Sequence, residues 1–172
     1  MNTAAATRRS GDKPFIIRQT FDAPRLRVWR AWTVREELMR WFSPQGFTLT
    51  TCTLDLRPGG SMHYCMRSAD GHEMWGRWSI REVVTPERLV VVSSFSDAQG
   101  GITTHPMSPT WPRETLSTTT FSERDGKTEL EIRWLVHNGT PEEHATFDAA
   151  HAGMQQGWSG TFTQLAAYLA GK

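Results

Sequence analysis

The sequence predicts an α+β domain in which a curved antiparallel sheet of seven strands wraps around one long C-terminal helix. The first observation is that apolar residues alternate with a period of two from residue 47 onward, which is typical of half-buried strands. The second is that apolar residues recur every three or four positions in residues 140–171, as on one face of a helix. Short turns between consecutive strands favour antiparallel neighbours.

The chain before residue 47 predicts one strand followed by two short helices. Residues 14–21 form a run rich in β-forming side chains. Asp22 and Pro24 are typical of the first turn of a helix. Thr33 and Glu36 have the spacing of a capping box, which predicts the start of a second helix.

Six further strands are predicted after these helices, and one of their connections is long. Glycine, proline and aspartate mark the short turns. Residues 96–113 are the exception, and their length is typical of a functional loop. We expect this segment to lie at one end of the molecule's cavity, to be more mobile than the sheet, and to place Trp111 over the opening. The predicted strands cover residues 48–56, 61–67, 73–84, 88–95, 114–122 and 127–137.

The C-terminal helix is predicted to be continuous. Thr140 is a capping residue, Pro141 occupies the first helical position, and Glu143 completes a capping box. Glycine inside a helix costs about 1 kcal/mol relative to alanine, so we expect the three glycines here to allow close approach of the sheet or of a bound molecule. The apolar stripe comprises Phe147, His151, Met154, Trp158, Phe162, Leu165 and Leu169, and the glycines beside it are Gly153, Gly157 and Gly160.

Length, charge and cysteine content exclude several classes of protein. The 172 residues favour a single domain over residues 14–171, preceded by a disordered tail at residues 1–13. The 19 basic and 18 acidic residues leave no basic excess for a nucleic acid. No apolar run is long enough for a transmembrane helix or a secretory signal, which indicates the cytoplasm. Two cysteines do not make a disulfide framework.

The hairpin around Pro58 and Gly59 is expected to contain a glycine bulge. A symmetric turn would place Cys52 opposite Cys65, and it would expose the apolar side chains of one of the two strands to solvent. A shift of one residue pairs Leu56 with Met62, Leu54 with Tyr64 and Cys52 with Met66, which places all these apolar groups on the inner face. The prediction is therefore that Cys52 points inward, Cys65 points outward, and no disulfide joins them.

An ordered set of short motifs resembles the helix-grip domains of the birch-pollen-allergen, START and polyketide-cyclase superfamily, also called SRPBCC. The motifs resemble most its branch homologous to the C-terminal domain of the activator of Hsp90 ATPase. This resemblance spans residues 15–169, implies the helix-grip fold, and carries no catalytic motif that transfers to named positions. The motifs are Phe21-Asp22-Ala23-Pro24, Val28-Trp29, Ala31-Trp32, Trp41-Phe42, Asp55-Leu56-Arg57-Pro58-Gly59-Gly60, Asp70-Gly71, Gly76, Pro86-Glu87-Arg88-Leu89, Gly157-Trp158 and Leu165-Ala166-Ala167-Tyr168-Leu169.

A sheet that curls around a helix encloses a cavity, and strand alternation predicts which side chains line it. The inner face of residues 61–67 carries Met62, Tyr64 and Met66. Ordinary core packing explains the same pattern, and His151 fits equally a partly buried structural histidine or a cavity acid or base. The predicted ligand-binding residues are Met62, Tyr64, Met74, Trp78, Trp111, Trp134, His151, Met154, Trp158 and Phe162.

The sequence favours binding of a small apolar or amphipathic molecule, with no catalytic residue assigned. No spacing typical of a metal site occurs, and no dinucleotide or phosphate motif occurs, so neither a metal nor a cofactor is expected. Two alternatives remain open: a protein-interaction or chaperone-cofactor-like module, and a cyclase- or hydrolase-type enzyme that uses His151 and Tyr64. Exposure of Trp111 and Met107 would also suit a homodimer interface.

Overall fold

A computed structural model describes residues 13–171. The predicted disordered tail, apart from Lys13, lies outside the described residues. The strands are β1 (Phe15–Phe21), β2 (Phe47–Leu54), β3 (Ser61–Ser68), β4 (Glu73–Val84), β5 (Arg88–Ser96), β6 (Ile102–Thr103), β7 (Thr115–Arg124) and β8 (Lys127–Val136). The helices are α1 (Arg25–Thr33), α2 (Arg35–Trp41), α3 (Pro141–Ala149) and α4 (His151–Leu169).

The sheet is antiparallel throughout and has the strand order β1-β8-β7-β5-β4-β3-β2. Its seven strands are the seven that the sequence predicts, and the fold class is confirmed. The two-residue strand β6 is an addition, which pairs only with the end of β5. Short turns join the pairs β2–β3, β3–β4, β4–β5 and β7–β8, whereas β5 pairs with β7 across the long connection. The first strand, β1, pairs with the last, β8, and the curled sheet presents one concave face to the helices.

The helices α1 and α2 cover one end of this concave face with aromatic side chains. Trp32 and Trp41 are almost fully buried, and the indole of Trp41 donates to the carbonyl of Ala31 across 2.9 Å. The predicted caps of these helices are wrong. Pro24 caps α1 and Val34 caps α2, and neither forms a side-chain hydrogen bond to its helix. The Thr33 hydroxyl, which was predicted to cap α2, donates to the Trp29 carbonyl within α1 instead.

The C-terminal helix is divided into α3 and α4, which corrects the prediction of one continuous helix. The predicted capping box is present: Thr140 accepts from the Glu143 amide, and Glu143 accepts from the Thr140 amide. The division lies at Ala150, whose amide donates to the carbonyls of both Thr146 and Phe147. The buried residues of α4 lie in its second half, at Thr161, Phe162 and Leu165.

The glycines of α4 do not allow the sheet to approach closely, so that part of the expectation is wrong, and close approach of a bound molecule stays a prediction. A Cβ at Gly153 or Gly157 would meet no atom within 4 Å, and one at Gly160 would touch only Gln45, at 3.8 Å. Gly153 is exposed in the first turns of the helix. Protein packing therefore does not require glycine at these positions.

Replacing Gly153 with alanine should raise the free energy of unfolding by about 0.5–1 kcal/mol, because glycine loses more backbone entropy in a helix than alanine does. Urea denaturation monitored by circular dichroism measures the change. The added methyl group enters open space, so no steric cost offsets the gain. A variant no more stable than the wild type would show that something contacts this face of the helix.

The hairpin between β2 and β3 has a different register from the predicted one. Cys52 lies opposite Tyr64, and Leu54 lies opposite Met62. Each predicted partner in β3 lies two residues from the observed one. A shift of two residues keeps every side chain on the same face of the strand, so the inner face was predicted correctly although the partners are wrong. Gly59 donates to the carbonyl of Ile80 in β4, and Gly60 accepts from the Ile80 amide, each across 2.9 Å.

The sheet therefore continues into the turn at residues 59 and 60, and the bulge lies elsewhere, between Leu49 and Thr51. Gly60 is required in this turn, since a Cβ there would lie 2.1 Å from the Asp55 carbonyl oxygen.

Cys52 and Cys65 are both free thiols, as the sequence predicts. Cys52 lies on the inner face and is buried. Cys65 lies on the outer face, yet it is only 1% exposed, which corrects the expectation that it points to solvent. It lies opposite Thr51 and Trp75 on the two neighbouring strands.

A candidate ligand-binding cavity

A cavity of about 310 Å³ lies between the concave face of the sheet and the helices. This volume is at the lower end of the range for small-molecule sites, about 300–1,000 Å³. Gly157 both lines the cavity and is exposed to solvent, so it marks where the cavity opens beside α4. A cavity of this volume has room for one small molecule.

Nine aromatic side chains line the cavity, and several of them pack against one another. Trp32 of α1 stacks on Trp158 of α4 with centroids 6.1 Å apart and an interplanar angle of 16°. Trp134 of β8 meets Trp158 edge to face at 5.7 Å. Phe42 meets Trp78 of β4 edge to face at 5.4 Å. Such a wall is rigid and offers both ring faces and ring edges to a guest.

A strip of hydroxyl groups crosses the otherwise apolar floor. Thr115, Ser117 and Thr119 occupy alternate positions of β7, all line the cavity, and all are less than 9% exposed. Ser93 of β5 lies directly opposite Thr115 and lines the cavity as well. These residues are not among the predicted ligand-binding residues, because polar side chains at every second position usually mark the solvated face of a strand.

Tyr64 occupies a place that Gly76 leaves open for it. A Cβ at residue 76 would lie 2.3 Å from Tyr64 Cζ and 2.4 Å from its hydroxyl oxygen, so the phenol lies against the bare backbone of the neighbouring strand. Phe42 meets the phenol edge to face at 5.7 Å. Burial raises the pKa of Tyr64 well above its usual value, and nearby Cys52 adds to this effect. The phenol therefore keeps its proton at neutral pH.

Charged side chains are absent from the cavity wall, within the part of the chain that the structure describes. Tyr64 is the only side chain with an ionisable group among the described lining residues. The remaining polar groups in the wall are hydroxyls, indole N–H groups and backbone atoms. An unpaired charge is costly to bury, so this wall suits an uncharged guest.

The connection between β5 and β7 contributes to the cavity wall, and its role as a lid over the opening remains a prediction. Trp111 and Pro112 line the cavity, and the Trp111 ring lies 5.8 Å from that of Phe147 in α3. The ring of His105 lies between Phe95 and Trp111, at 4.7 Å and 6.2 Å. The segment also contains β6, so it is more ordered internally than the prediction of a plain loop implied. Its greater mobility remains a prediction.

Seven of the ten predicted ligand-binding residues line the cavity, and three do not. Met62 and Phe162 are fully buried but lie outside the lining, in the core behind it. His151 also lies outside the lining, with its ring edge to face against Phe15 at 5.7 Å and Phe147 at 5.1 Å. The residues that line the cavity as predicted are Tyr64, Met74, Trp78, Trp111, Trp134, Met154 and Trp158.

His151 is a packing residue rather than a cavity acid or base. Its Nε2 is buried without a hydrogen-bond partner among the described residues, and the Asp148 carboxylate is 4.0 Å away. Burial lowers the pKa of His151, the Asp148 charge opposes this effect, and Lys13 adds to it. The folded protein therefore favours the neutral imidazole.

A His151→Phe variant should gain stability relative to the wild type as the pH falls below about 6.5, the ordinary pKa of histidine. Between that value and the lowered pKa of the folded state, the unfolded wild-type chain binds a proton that the folded chain excludes, so acid favours unfolding. Urea denaturation of both proteins at about pH 7 and pH 5 measures the difference. An advantage that is the same at both values would contradict this account of His151.

The described residues contain no group of histidine, cysteine, aspartate or glutamate side chains that could hold a metal ion. None of the helices in residues 13–171 is long and apolar enough to cross a membrane.

Comparison with known proteins supports the same fold. A model of the family described as activator of Hsp90 ATPase homolog 1-like protein matches residues 22–170. A solved protein from Arthrobacter aurescens is similar with a TM-score of 0.76 and 26% identity, over 92% of this chain and 87% of that one. Ms6760 from Mycobacterium smegmatis gives a TM-score of 0.71 at 26% identity, over 91% and 90%. NE0264 from Nitrosomonas europaea gives 0.72 at 23%, over 91% and 94%. None of the curated proteins matches the sequence.

The family match includes both short helices, six of the seven main strands and nearly all of the C-terminal helical segment. The solved structures are similar in fold over 91–92% of this chain. On this evidence, the chain belongs to the family of activator of Hsp90 ATPase homolog 1-like proteins, and its fold is the helix-grip fold.

Proposed function

We propose that this protein binds one small, uncharged, largely apolar molecule in the cavity and does not transform it. The observation that supports this most is the composition of the wall, in which aromatic side chains surround a short hydroxyl strip and no charged group is present among the described lining residues. Small-molecule sites commonly combine an apolar wall with few polar groups that fix orientation.

The aromatic wall favours a flat guest. Trp32 and Trp158 are stacked nearly parallel, and Trp134 and Trp78 present their rings from the sheet. Aromatic rings that meet offset or edge to face contribute about 0.5–1.5 kcal/mol of binding free energy, in addition to the contribution from burying their surface area. A guest with about two fused rings suits both the geometry and the volume of the cavity.

The same wall is poorly equipped for general acid–base catalysis. A catalytic base works best with a pKa near the operating pH. The pKa of Tyr64 is raised by burial, so its phenol is a hydrogen-bond donor rather than a base at neutral pH. The serine and threonine hydroxyls have no adjacent base to activate them among the described lining residues. Binding therefore accounts for the cavity better than a cyclase- or hydrolase-type reaction does.

The surface gives less support to a chaperone-cofactor-like role, which the family description would suggest. The exposed large hydrophobic side chains among the described residues are Leu26, Ile102 and Met107. Leu26 lies in α1, whereas the other two lie in the connection between β5 and β7. Exposed apolar residues that are scattered in this way are ordinary on a protein surface, so the proposal rests on the cavity.

The proposal is tested with two fluorescent probes that share a skeleton and differ in charge. N-phenyl-1-naphthylamine is neutral, and 8-anilino-1-naphthalenesulfonate adds one sulfonate to the same rings. We expect saturable, one-to-one binding of the neutral probe, and affinity for the anionic probe at least about tenfold weaker, because no cation compensates for burial of the sulfonate. Equal affinities, or no saturable binding of the neutral probe, would contradict the proposal.

A matched pair of variants shows whether the neutral probe enters through the opening beside Gly157. Gly157→Leu places a side chain at the mouth of the cavity, where no protein atom obstructs it. Gly153→Leu makes the same change about one helical turn earlier, at a position outside the lining. Binding of the neutral probe should weaken in the first variant and stay unchanged in the second. Equal effects of the two changes would place the binding site elsewhere.

A further inference from the structure

One hydroxyl of the cavity floor is held in a fixed orientation by its neighbour. The Trp134 indole N–H donates to Ser117 Oγ across 2.7 Å. Trp134 itself is held by edge-to-face contacts with Phe15 at 6.3 Å and Trp158 at 5.7 Å. A serine hydroxyl has one proton and two lone pairs. The indole occupies one lone pair, so the proton of Ser117 is directed away from Trp134.

The Ser117 proton has no acceptor among the described residues, and Ser117 is buried at 6% exposure while it lines the cavity. Its neighbours Thr115 and Thr119 likewise form no side-chain hydrogen bond within the described chain. A buried hydroxyl that lacks a partner is destabilising. Water can accept this proton when no guest is bound. A guest that replaces the water must supply an acceptor of its own, because otherwise the hydrogen bond from Ser117 is lost.

We infer that Ser117, oriented by Trp134, donates a hydrogen bond to an acceptor oxygen of the guest, so that the natural ligand is a neutral aromatic ketone, ester or ether rather than a pure hydrocarbon. This inference rests on the proposed function, because it specifies the ligand class of the same cavity. The Ser117 hydroxyl becomes a stronger donor when it accepts a hydrogen bond from the Trp134 indole, because linked hydrogen bonds polarise one another.

The test compares two probes of nearly the same shape. 2-Acetylnaphthalene carries a carbonyl oxygen where 2-isopropenylnaphthalene carries a methylene group. Each competes with N-phenyl-1-naphthylamine for the wild-type protein and for Ser117→Ala, and the ratio of the two affinities is the measured quantity. The ketone-to-alkene ratio should fall about fivefold in Ser117→Ala, which corresponds to one ordinary hydrogen bond.

Two further variants keep the test specific. Trp134→Phe retains a ring but removes the N–H that orients Ser117, so the ratio should fall in this variant as well. Ser122→Ala makes the same serine change on the exposed face of β7 and should leave the ratio at its wild-type value. Circular dichroism confirms that each variant is folded before its binding is compared.

The possible failures can be told apart. If both probes bind and the ratio is the same in the wild type and Ser117→Ala, the inference about Ser117 is overturned and the proposed function stands. If neither probe binds the wild-type protein and the neutral fluorescent probe does not bind either, the proposed function is overturned together with this inference. If the ratio falls equally in Ser122→Ala, the effect does not come from the cavity floor, and the inference fails.

Discussion

Replacing Trp32 with alanine should lower the free energy of unfolding by about 3–5 kcal/mol, the usual cost of removing a buried large aromatic side chain. Trp32 is 2% exposed and forms ring contacts with four aromatic neighbours from three other parts of the fold. Its removal would leave space that this rigid wall cannot fill by small movements. Urea denaturation at pH 7 measures the loss. The four neighbours are Trp41, Phe42, Phe121 and Trp158.

The matched control is Trp32→Phe, which keeps an aromatic ring at the same place. The Trp32 indole nitrogen is buried and has no acceptor among the described residues, so phenylalanine removes a donor that contributes no hydrogen bond. This variant should therefore lose much less stability than Trp32→Ala. Comparable losses in the two variants would show that the indole N–H, rather than the ring packing, is what the fold requires.

Gly76→Ala should both destabilise the protein and impair the cavity. The new Cβ would lie 2.3 Å from Tyr64 Cζ, far inside the normal contact distance of about 3.5–4.0 Å. The phenol must then swing out into the cavity, or the strands β3 and β4 must separate. Overpacking of this kind costs about 1–3 kcal/mol. We expect a loss in that range by urea denaturation, together with weaker binding of N-phenyl-1-naphthylamine.

A double-mutant cycle isolates the contact between these two residues. In a Tyr64→Ala background no ring opposes the new methyl group, and alanine is favoured over glycine in a strand interior. Gly76→Ala should therefore change sign and become slightly stabilising in that background. The coupling should be about 1–3 kcal/mol, as for residues in direct contact. An equal loss in both backgrounds would mean that the glycine is required by the backbone and not by Tyr64.

Strand alternation allowed the inner face of the sheet to be predicted correctly, because alternation leaves only two choices and burial of the apolar set decides between them. Tyr64, Trp78 and Trp134 line the cavity for this reason. Alternation does not determine the partner across the strand. The observed register at Cys52 depends on the pairing of Gly59 and Gly60 with Ile80, a contact between residues distant in sequence.

The sequence pattern also did not show which residues of a correctly predicted face reach the cavity wall. Met62 and Phe162 are on the predicted faces but lie behind the cavity wall, because the curvature of the sheet decides how far the cavity extends. The division between α3 and α4 at Ala150 has no proline to mark it in the sequence. The hydroxyl strip of β7 was missed for a chemical reason, since polar residues on alternate positions resemble a solvated strand face until the neighbouring strands are known.

The most direct test of the central claim, that a neutral guest occupies this cavity, is NMR of protein carrying ¹³C-labelled methionine methyl groups. Met66, Met74 and Met154 line the cavity, whereas Met107 is 88% exposed on the connection between β5 and β7. On addition of N-phenyl-1-naphthylamine, ring currents from the probe should shift the methyl signals of the three lining methionines and leave Met107 unchanged. Shifts confined to Met107, or no shift at any lining methionine when the probe is bound, would contradict the account.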